Sequence, residues 1–197
     1  MDADRVLELA AQKGLLRTRD VTELGIARAV LSRLTEAGRL VRVERGLYTL
    51  PDAEPTSHHS LALVAKQVPQ AIVCLLSALA VHELTDQNPF EVWIALPQKA
   101  WAPKMDYPPI RLVRFSGRLL DVGVEERAIE SVPVKITSPA RTVVDCFRFR
   151  RRYGQDVAVE ALRDYLRKRA GSVDDLVQVA TECRAASVIR PYLEAML

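Results

Sequence analysis

The sequence predicts an α+β protein in two parts, and two observations predict it. Within about the first fifty residues the patterns run helix, helix, helix, tight hairpin, which is the order of a winged helix-turn-helix. Beyond "PDAEPT" (residues 51–56), which has the composition of a linker, helix-period and strand-period segments alternate, as in a mixed α+β domain. A chain of 197 residues holds one large or two small domains. An apolar share of 49% with 27% charged residues excludes a disordered chain. The expected boundaries are a winged helix over 1–52, a linker over 53–56 and an α+β domain over 57–197.

The first helix is expected from Ala3 to Lys13, with Val6, Leu7, Leu9 and Ala10 facing inward and Gly14 stopping it. Thr18 is placed to cap a second helix running to Leu24, with Gly25 making the turn. A third helix leads from Ile26 and ends before Gly38. Strands follow at Leu40–Glu44 and Leu47–Leu50, turned by Arg45-Gly46. Past the linker, Ser57–Val68 reads as a helix, Ala71–Cys74 as a short strand, "SALAVHEL" (Ser77–Leu84) as a helix and "FEVWIALP" as a buried strand. The prolines of "DYPPI" mark a loop before a strand at Arg111–Phe115. "VEERAIE" and "VPVKIT" alternate as two strands paired around Ser131. "SPARTVVDCFRF" opens a helix with Ser138 as cap and Pro139 in the first turn. Helices near Gln155–Arg169, Val173–Arg184 and Val188–Met196 complete the chain.

On the third helix Ala27, Val30, Leu31 and Leu34 share one side at i, i+3, i+4, i+7 spacing, with Ala37 beside them. The opposite side presents Arg28, Ala29, Ser32 and Glu36, flanked by Arg33. Small residues at its centre and cations at its rim suit close approach to a major groove, with Ser32 near base edges and Arg28 or Arg33 reaching a guanine or a phosphate. In the hairpin Val41 and Val43 alternate with Arg42 and Glu44, so one face is expected to pack on the helices. Arg45 at the tip is placed for a backbone phosphate, and Arg17 and Arg19 at the start of the second helix for two more. Residues 13–49 carry eight Lys and Arg against four Asp and Glu, a surplus suited to a polyanion. The same four elements also form protein-interaction modules, and Glu36 and Glu44 dilute the basic face.

"LLRTRDVTELGIARAVLSRLTEAGRLVRVERGLYTLP" resembles the winged-helix domain of the AbiEi family of antitoxins, where a G-I-x-R, L-x-x-L, G-x-L-x-R-V-x-R-G-x-Y pattern recurs. The second half resembles the same family's C-terminal domain, with "SALAVHEL" ahead of "VWIALP" and then "VKITSPARTVVDC". The resemblance implies a bacterial, cytoplasmic antitoxin of a type IV toxin–antitoxin pair that represses its own operon through the winged helix. The toxin it implies is a nucleotidyltransferase-like protein encoded next door. It places Arg28, Ser32 and Arg33 on the recognition helix and Arg45 on the wing. Some relatives carry a nuclease domain, but "ALPQK" has Pro97 where an acidic residue would precede Lys99 by two places, so no nuclease is expected.

Other chemistry finds little support. Cys74, Cys146 and Cys183 lie far apart without a CxxC, so buried thiols are expected and no zinc, redox or disulfide framework. His58 and His59 are adjacent and diverge on a helix, and His82 stands alone, so no metal site is expected. Ser77, His82 and Asp86 fall within ten residues, unlike a triad assembled from distant segments, and Ser77 reads as a helix cap. No GxxxxGK[ST] or Gly-rich strand-to-helix loop suggests a nucleotide, so neither cofactor nor enzymatic activity is expected. Apolar runs are too short to span a bilayer, and "MDADRVLELAAQ" has no basic leader, so neither membrane nor secretion is expected. Trp93 reads as core, while Trp101 reads as exposed and able to anchor a partner. Arg141 and Asp145 stand four apart for an ion pair. "RFRRRY" contributes Arg148, Arg151 and Arg152, and the following helix Arg163, Arg167, Lys168 and Arg169, to a second basic surface facing flanking DNA or an acidic face of the toxin.

The expected function is a DNA-binding antitoxin and autorepressor of its own operon. It would bind an inverted repeat in its promoter as two copies, since one winged helix reads few base pairs. Two rivals are a stand-alone winged-helix regulator with a ligand-sensing C-terminal domain, which needs a large apolar pocket, and a phosphotransferase acting on the toxin, which needs clustered carboxylates or lysines in a cleft.

Overall fold

A computed structural model describes residues 2–53 and 57–197. It is mixed α+β, beginning with a winged helix-turn-helix. The chain divides into two compact units, one of residues 1–69 with 128–134 and the other of 70–127 with 135–197. The first unit therefore runs past the boundary expected at 52. Of the linker expected at 53–56, only Ala53 is described; the rest lies outside the described residues.

The first unit opens with α1 (Asp2–Lys13), β1 (Leu16–Arg17), α2 (Thr18–Glu23) and α3 (Ala29–Glu36). The wing, β2 (Val41–Glu44) and β3 (Leu47–Thr49), follows, and then α4 (His59–Gln67). Its strands form an antiparallel sheet in the order β1-β3-β2. Val6 and Ala10 of α1 pack with Val21, Ile26, Val30, Leu31, Leu34 and Leu40 in one apolar core. The stripe read on the third helix supplies Val30, Leu31 and Leu34 to that core.

Four local expectations change here. β1, two residues long, is too short to leave an alternation in the sequence, yet it pairs Leu16 with Tyr48 and Arg17 with Leu47. Because Arg17 is extended in that strand, it rather than Thr18 takes the cap position of α2, and its N–H donates to Asp20 Oδ2 at 2.7 Å. The third helix begins at Ala29 rather than Ile26, whose N–H is held by Val21 O at 3.2 Å in the turn; Ile26 is buried and Ala27 exposed. In the wing a bulge between Arg42 and Glu44 breaks the alternation, so Val41 is 46% exposed and Leu40 and Leu47 go inward instead.

A charged cluster sits beside this core. Asp20, 7% exposed, meets Lys13 Nζ at 3.0 Å and the buried Lys66 Nζ of α4 at 3.6 Å. Burial opposes ionisation of Asp20, but the Arg17 N–H and the two ammoniums hold its carboxyl below the ordinary aspartate value. Burial lowers the Lys66 ammonium, with Asp20 opposing that shift. The hairpin tip 128–134 belongs to the same unit. There Glu130 Oε2 accepts from His59 Nδ1 at 2.7 Å. Gly14, at φ +63°, lies so close to Glu130 O that a Cβ would stand 2.1 Å from it, so no larger residue fits without backbone movement.

In the rest of the chain β4 (Ile72–Val73), α5 (Leu75–Val81), β5 (Val92–Pro97) and β6 (Ile110–Phe115) precede β7 (Val124–Ile129) and β8 (Val132–Thr137). The five strands are ordered β6-β5-β4-β8-β7, with β4 antiparallel to β5 and parallel to β8, and β5 parallel to β6. Glu130 and Ser131 both have positive φ, as a two-residue hairpin between β7 and β8 requires. Five helices follow: α6 (Pro139–Arg148), α7 (Arg150–Tyr153), α8 (Gln155–Arg167), α9 (Val173–Glu182) and α10 (Ala186–Glu194). α5 starts two residues earlier than expected, so Ser77 lies inside it rather than capping it. Its hydroxyl donates to Glu91 O and accepts from Trp93 N–H at 2.9 Å.

α6 is the centre of the second unit, and every residue from Ala140 to Phe147 is buried. Ser138 caps it through the Arg141 N–H, with Pro139 in the first turn. Arg141 and Asp145, both fully buried, pair at 2.9 Å, and Arg148 Nη1 reaches the other Asp145 oxygen at 2.8 Å. The Arg141 guanidinium also donates to Val122 O, to Leu119 O at 3.0 Å, and lies 4.9 Å from the Phe115 ring centroid. Burial pushes the Asp145 carboxyl up, against the pull of the two guanidiniums.

These buried charges set two expectations for stability. Asp145→Ala leaves the Arg141 charge buried without its carboxylate and is expected to destabilise by about 3–5 kcal/mol in urea unfolding. Arg148→Ala, which leaves the Arg141–Asp145 pair intact, is expected to lose only about 1 kcal/mol. Asp20→Asn is expected to lose about 3 kcal/mol at neutral pH by stranding Lys66. Because the folded Asp20 titrates below its unfolded value of about 3.9, its contribution is complete above that pH and fades as pH falls through the folded value. The stabilities of wild type and Asp20→Asn should therefore begin to converge as pH falls below about 4, and a gap that stays constant with pH would refute the charge assignment.

Candidate DNA-binding surface

The turn between α2 and α3 is closed by Gly25 at φ +74°, whose N–H donates to Thr22 O at 3.0 Å. With Ile26 anchored in the core, α3 presents Arg28, Ala29, Ser32, Arg33 and Glu36 to solvent. Arg28 occupies the cap position, and no side chain caps the helix. Arg28 and Arg33 meet no carboxylate among the described residues. Thr35 turns back to donate to Leu31 O at 2.8 Å.

The wing is tied to α2 at its tip. Gly46, at φ +77°, turns β2 into β3, and its carbonyl accepts the Thr18 N–H at 2.9 Å and the Thr18 hydroxyl at 3.3 Å. Arg45 is thereby held exposed beside the start of α2, its own N–H directed to Glu44 Oε2 at 3.3 Å. Arg42 is exposed, with Nε on Glu44 O at 3.3 Å.

The two arginines of the second helix are placed differently from the rest. Arg19 is paired to Glu23 at 2.7 Å on the surface. Arg17 bends toward Asp20, its buried Nε 3.9 Å from Oδ2, an ion pair without a hydrogen bond. The structure thus brings Arg28, Ser32, Arg33, Arg42 and Arg45 to the outside of one small domain, and commits Arg17 and Arg19 to neighbouring carboxylates. The sequence reading missed Asp20 and Lys66, which fix α2 from behind. A lysine among the apolar residues of "SLALVAKQ" was the available signal.

The second basic set divides in the same way. Arg148 is taken up by Asp145, Arg167 by Asp164 at 2.7 Å, and Lys168 by Asp164 at 3.7 Å and Glu83 O. Arg151, Arg152 and Arg163 stay exposed and meet no carboxylate among the described residues. Trp93 is 7% exposed, whereas Trp101 is 93% exposed.

The groups weighed for catalysis are engaged elsewhere. His82 Nε2 bonds to Thr137 O at 2.7 Å, and burial lowers its pKa. The three cysteines are free and buried, and burial raises the thiols of Cys74, Cys146 and Cys183. Among the described residues no three His, Cys, Asp or Glu side chains converge on a metal position, and no helix is long and apolar enough to cross a membrane. Two of the clefts among the described residues lie in the second unit. One of about 280 Å³ is lined in part by Tyr165, Asp175 and Gln178, and one of about 380 Å³ in part by Asp121, Glu125, Glu126 and Lys135.

Comparison with known proteins agrees with the fold. The crystal structure of the RV2827C protein from Mycobacterium tuberculosis is similar over 99% of this chain and 77% of its own, with a TM-score of 0.62 at 18% identity. No curated protein sequence matches the chain. At the N-terminus the likeness is one of sequence, and it supports a role as a transcriptional regulator and antitoxin. Residues 4–51, the helices and wing that carry Arg28, Ser32, Arg33 and Arg45, match the model of the family described as transcriptional regulator, AbiEi antitoxin.

Proposed function

We propose that the protein is a DNA-binding antitoxin that represses its own operon. The single observation that carries this reading is the exposed Arg28–Ser32–Arg33 face of α3, standing in one domain with a wing tip tethered to α2 through Gly46 O and Thr18. α3 enters the major groove, where Ser32 and the small Ala29 allow close approach and Arg28 and Arg33 reach guanine edges or phosphates. Arg45 and Arg42 on the wing take backbone phosphates and set register. Arg17 and Arg19 bind phosphate more weakly, since each must first loosen from its carboxylate. Two copies on an inverted repeat in the promoter supply the length of DNA that one winged helix does not read.

The domain roles follow the same proposal. Residues 1–52 read DNA, 53–56 link, and 57–197, of which 57–69 and 128–134 pack in the first unit, counter a nucleotidyltransferase-like toxin of a type IV pair in the cytoplasm, with no chemistry of their own. Arg151, Arg152 and Arg163 keep the second basic surface available to a negatively charged partner.

Fluorescence anisotropy of the full chain on its own upstream duplex, against scrambled duplex, tests the DNA half. Arg28→Ala with Arg33→Ala is expected to weaken specific binding by roughly tenfold or more, since each arginine bonded to a base edge is worth about 1–3 kcal/mol. Arg45→Ala should weaken both duplexes alike and lower the salt slope by about 0.9. Equal weak binding to both duplexes by the wild type would remove the repressor reading.

A further inference from the structure

In the second unit Trp93 of β5 and Arg111 of β6 are register partners, so both project from the same face of the sheet. The Arg111 guanidinium lies 5.7 Å from the Trp93 ring centroid. Tyr153 of α7 meets Trp93 edge-on, with centroids 4.5 Å apart. Arg152 in turn lies 5.3 Å from the Tyr153 centroid. The result is a ladder of guanidinium, indole, phenol and guanidinium with its cations outermost, since Arg111 and Arg152 are both exposed. Glu91 takes one edge of Arg111 at 2.8 Å; Arg152 meets no carboxylate among the described residues.

Two further rings stand at this end of the strands. Phe90, just before β5, is 82% exposed, and Tyr107, just before β6, is 55% exposed. The approaches to β5 and β6 run side by side, because the Val92 N–H donates to Pro109 O at 2.8 Å. Phe90 in that position gains little from folding, since most of its apolar surface stays in water.

Exposed flat rings at the strand end that also carries exposed guanidiniums match a ligand that alternates stackable planar groups with negative charge. A duplex keeps its bases inside the stack, whereas a single strand offers them. An acidic protein segment would satisfy the cations but brings no regular supply of planar groups to Phe90 and Tyr107. We propose that the surface formed by Phe90, Tyr107, Arg111 and Arg152 binds single-stranded nucleic acid. This site is separate from the winged helix and does not depend on that domain's reading of duplex DNA.

The test uses fluorescein-labelled dT20 and the full chain carrying Arg28→Ala and Arg33→Ala, so that α3 contributes little. Anisotropy at low salt should show binding, and adding Phe90→Ala with Tyr107→Ala should weaken it by about tenfold or more. Arg152→Gln should reduce the salt slope by about 0.7, the increment for one phosphate of a single strand. Both rings are exposed, so an unchanged melting temperature is expected to show that the aromatic variant is folded; Phe90→Trp should retain binding. No binding of dT20, or equal binding by the aromatic variant, would overturn the proposal. Displacement of dT20 by poly-L-glutamate as readily as by unlabelled dT20 would assign the surface to an acidic protein instead and overturn it too.

Discussion

The second unit is organised around one buried cation. Arg141 is fully inside the protein, where an isolated charge would be several kcal/mol out of place, so its surroundings must answer it donor by donor. Asp145 supplies the charge one helical turn later, and the carbonyls of Val122 and Leu119 each accept from one of the two terminal nitrogens. That requirement shapes the chain at a distance. The short helical turn Gly117–Leu120 exists where it can aim Leu119 O at the guanidinium. Gly123 must be glycine because a Cβ there would lie 2.7 Å from the Cβ of Arg141. Arg148 is drawn inward by the second oxygen of the same carboxylate, which removes it from the basic surface that its neighbours Arg151 and Arg152 form.

The winged unit uses the same device at smaller scale and for a different end. Asp20 cannot be buried unpaired, and Lys13, Lys66 and the Arg17 N–H converge on it from α1, α4 and β1. Those three attachments fix the inner side of α2, so the outer side is free to carry the turn into α3. The wing is then referenced to the same helix through Thr18 and Gly46 rather than to the core alone. The geometry between α3 and the wing, which any duplex-reading surface needs, is thus set by backbone and buried contacts. The arginines that face solvent contribute charge without holding the fold.

Much of this was legible in the sequence, and what was not has a common cause. The Val30, Leu31 and Leu34 members of the third-helix stripe, the Ser138-Pro139 start of α6 and the buried run of β5 are local patterns and appear within a residue or two of their expected places, whereas Ala27, expected on the same stripe, is exposed. What local pattern does not contain is the partner of a polar side chain. The Arg141–Asp145 pair was readable as i, i+4 spacing, but its complete burial was not, because the Leu119 and Val122 carbonyls that permit it lie about twenty residues away. The cap of α2 shifted from Thr18 to Arg17 for a similar reason: β1 exists only because β3 is there to pair with it. The Val41 and Val43 alternation misled because a bulge, which leaves no mark on composition, rotates the strand out of phase.

The same distinction governs how the basic residues should be weighed. Net surplus charge along residues 13–49 treats all eight cations alike, whereas a guanidinium already paired with a carboxylate must leave that charge before a phosphate gains from it. Arg19 with Glu23 and Arg17 with Asp20 therefore start at a disadvantage that Arg28, Arg33 and Arg45 do not have. In the second unit Arg167 and Lys168 share Asp164 and lie behind Arg151, Arg152 and Arg163 by the same measure. Attraction for a polyanion follows the unpaired cations and not the count of basic letters. Two short sets remain, one on the outer face of α3 and the wing and one beside α7, and they differ in what surrounds them. Around the first stand Ala29 and Ser32, small enough for a groove edge to come close. At the end of β5 and β6 whose Trp93 meets α7 stand Phe90 and Tyr107, whose exposed rings give single bases a surface to stack on.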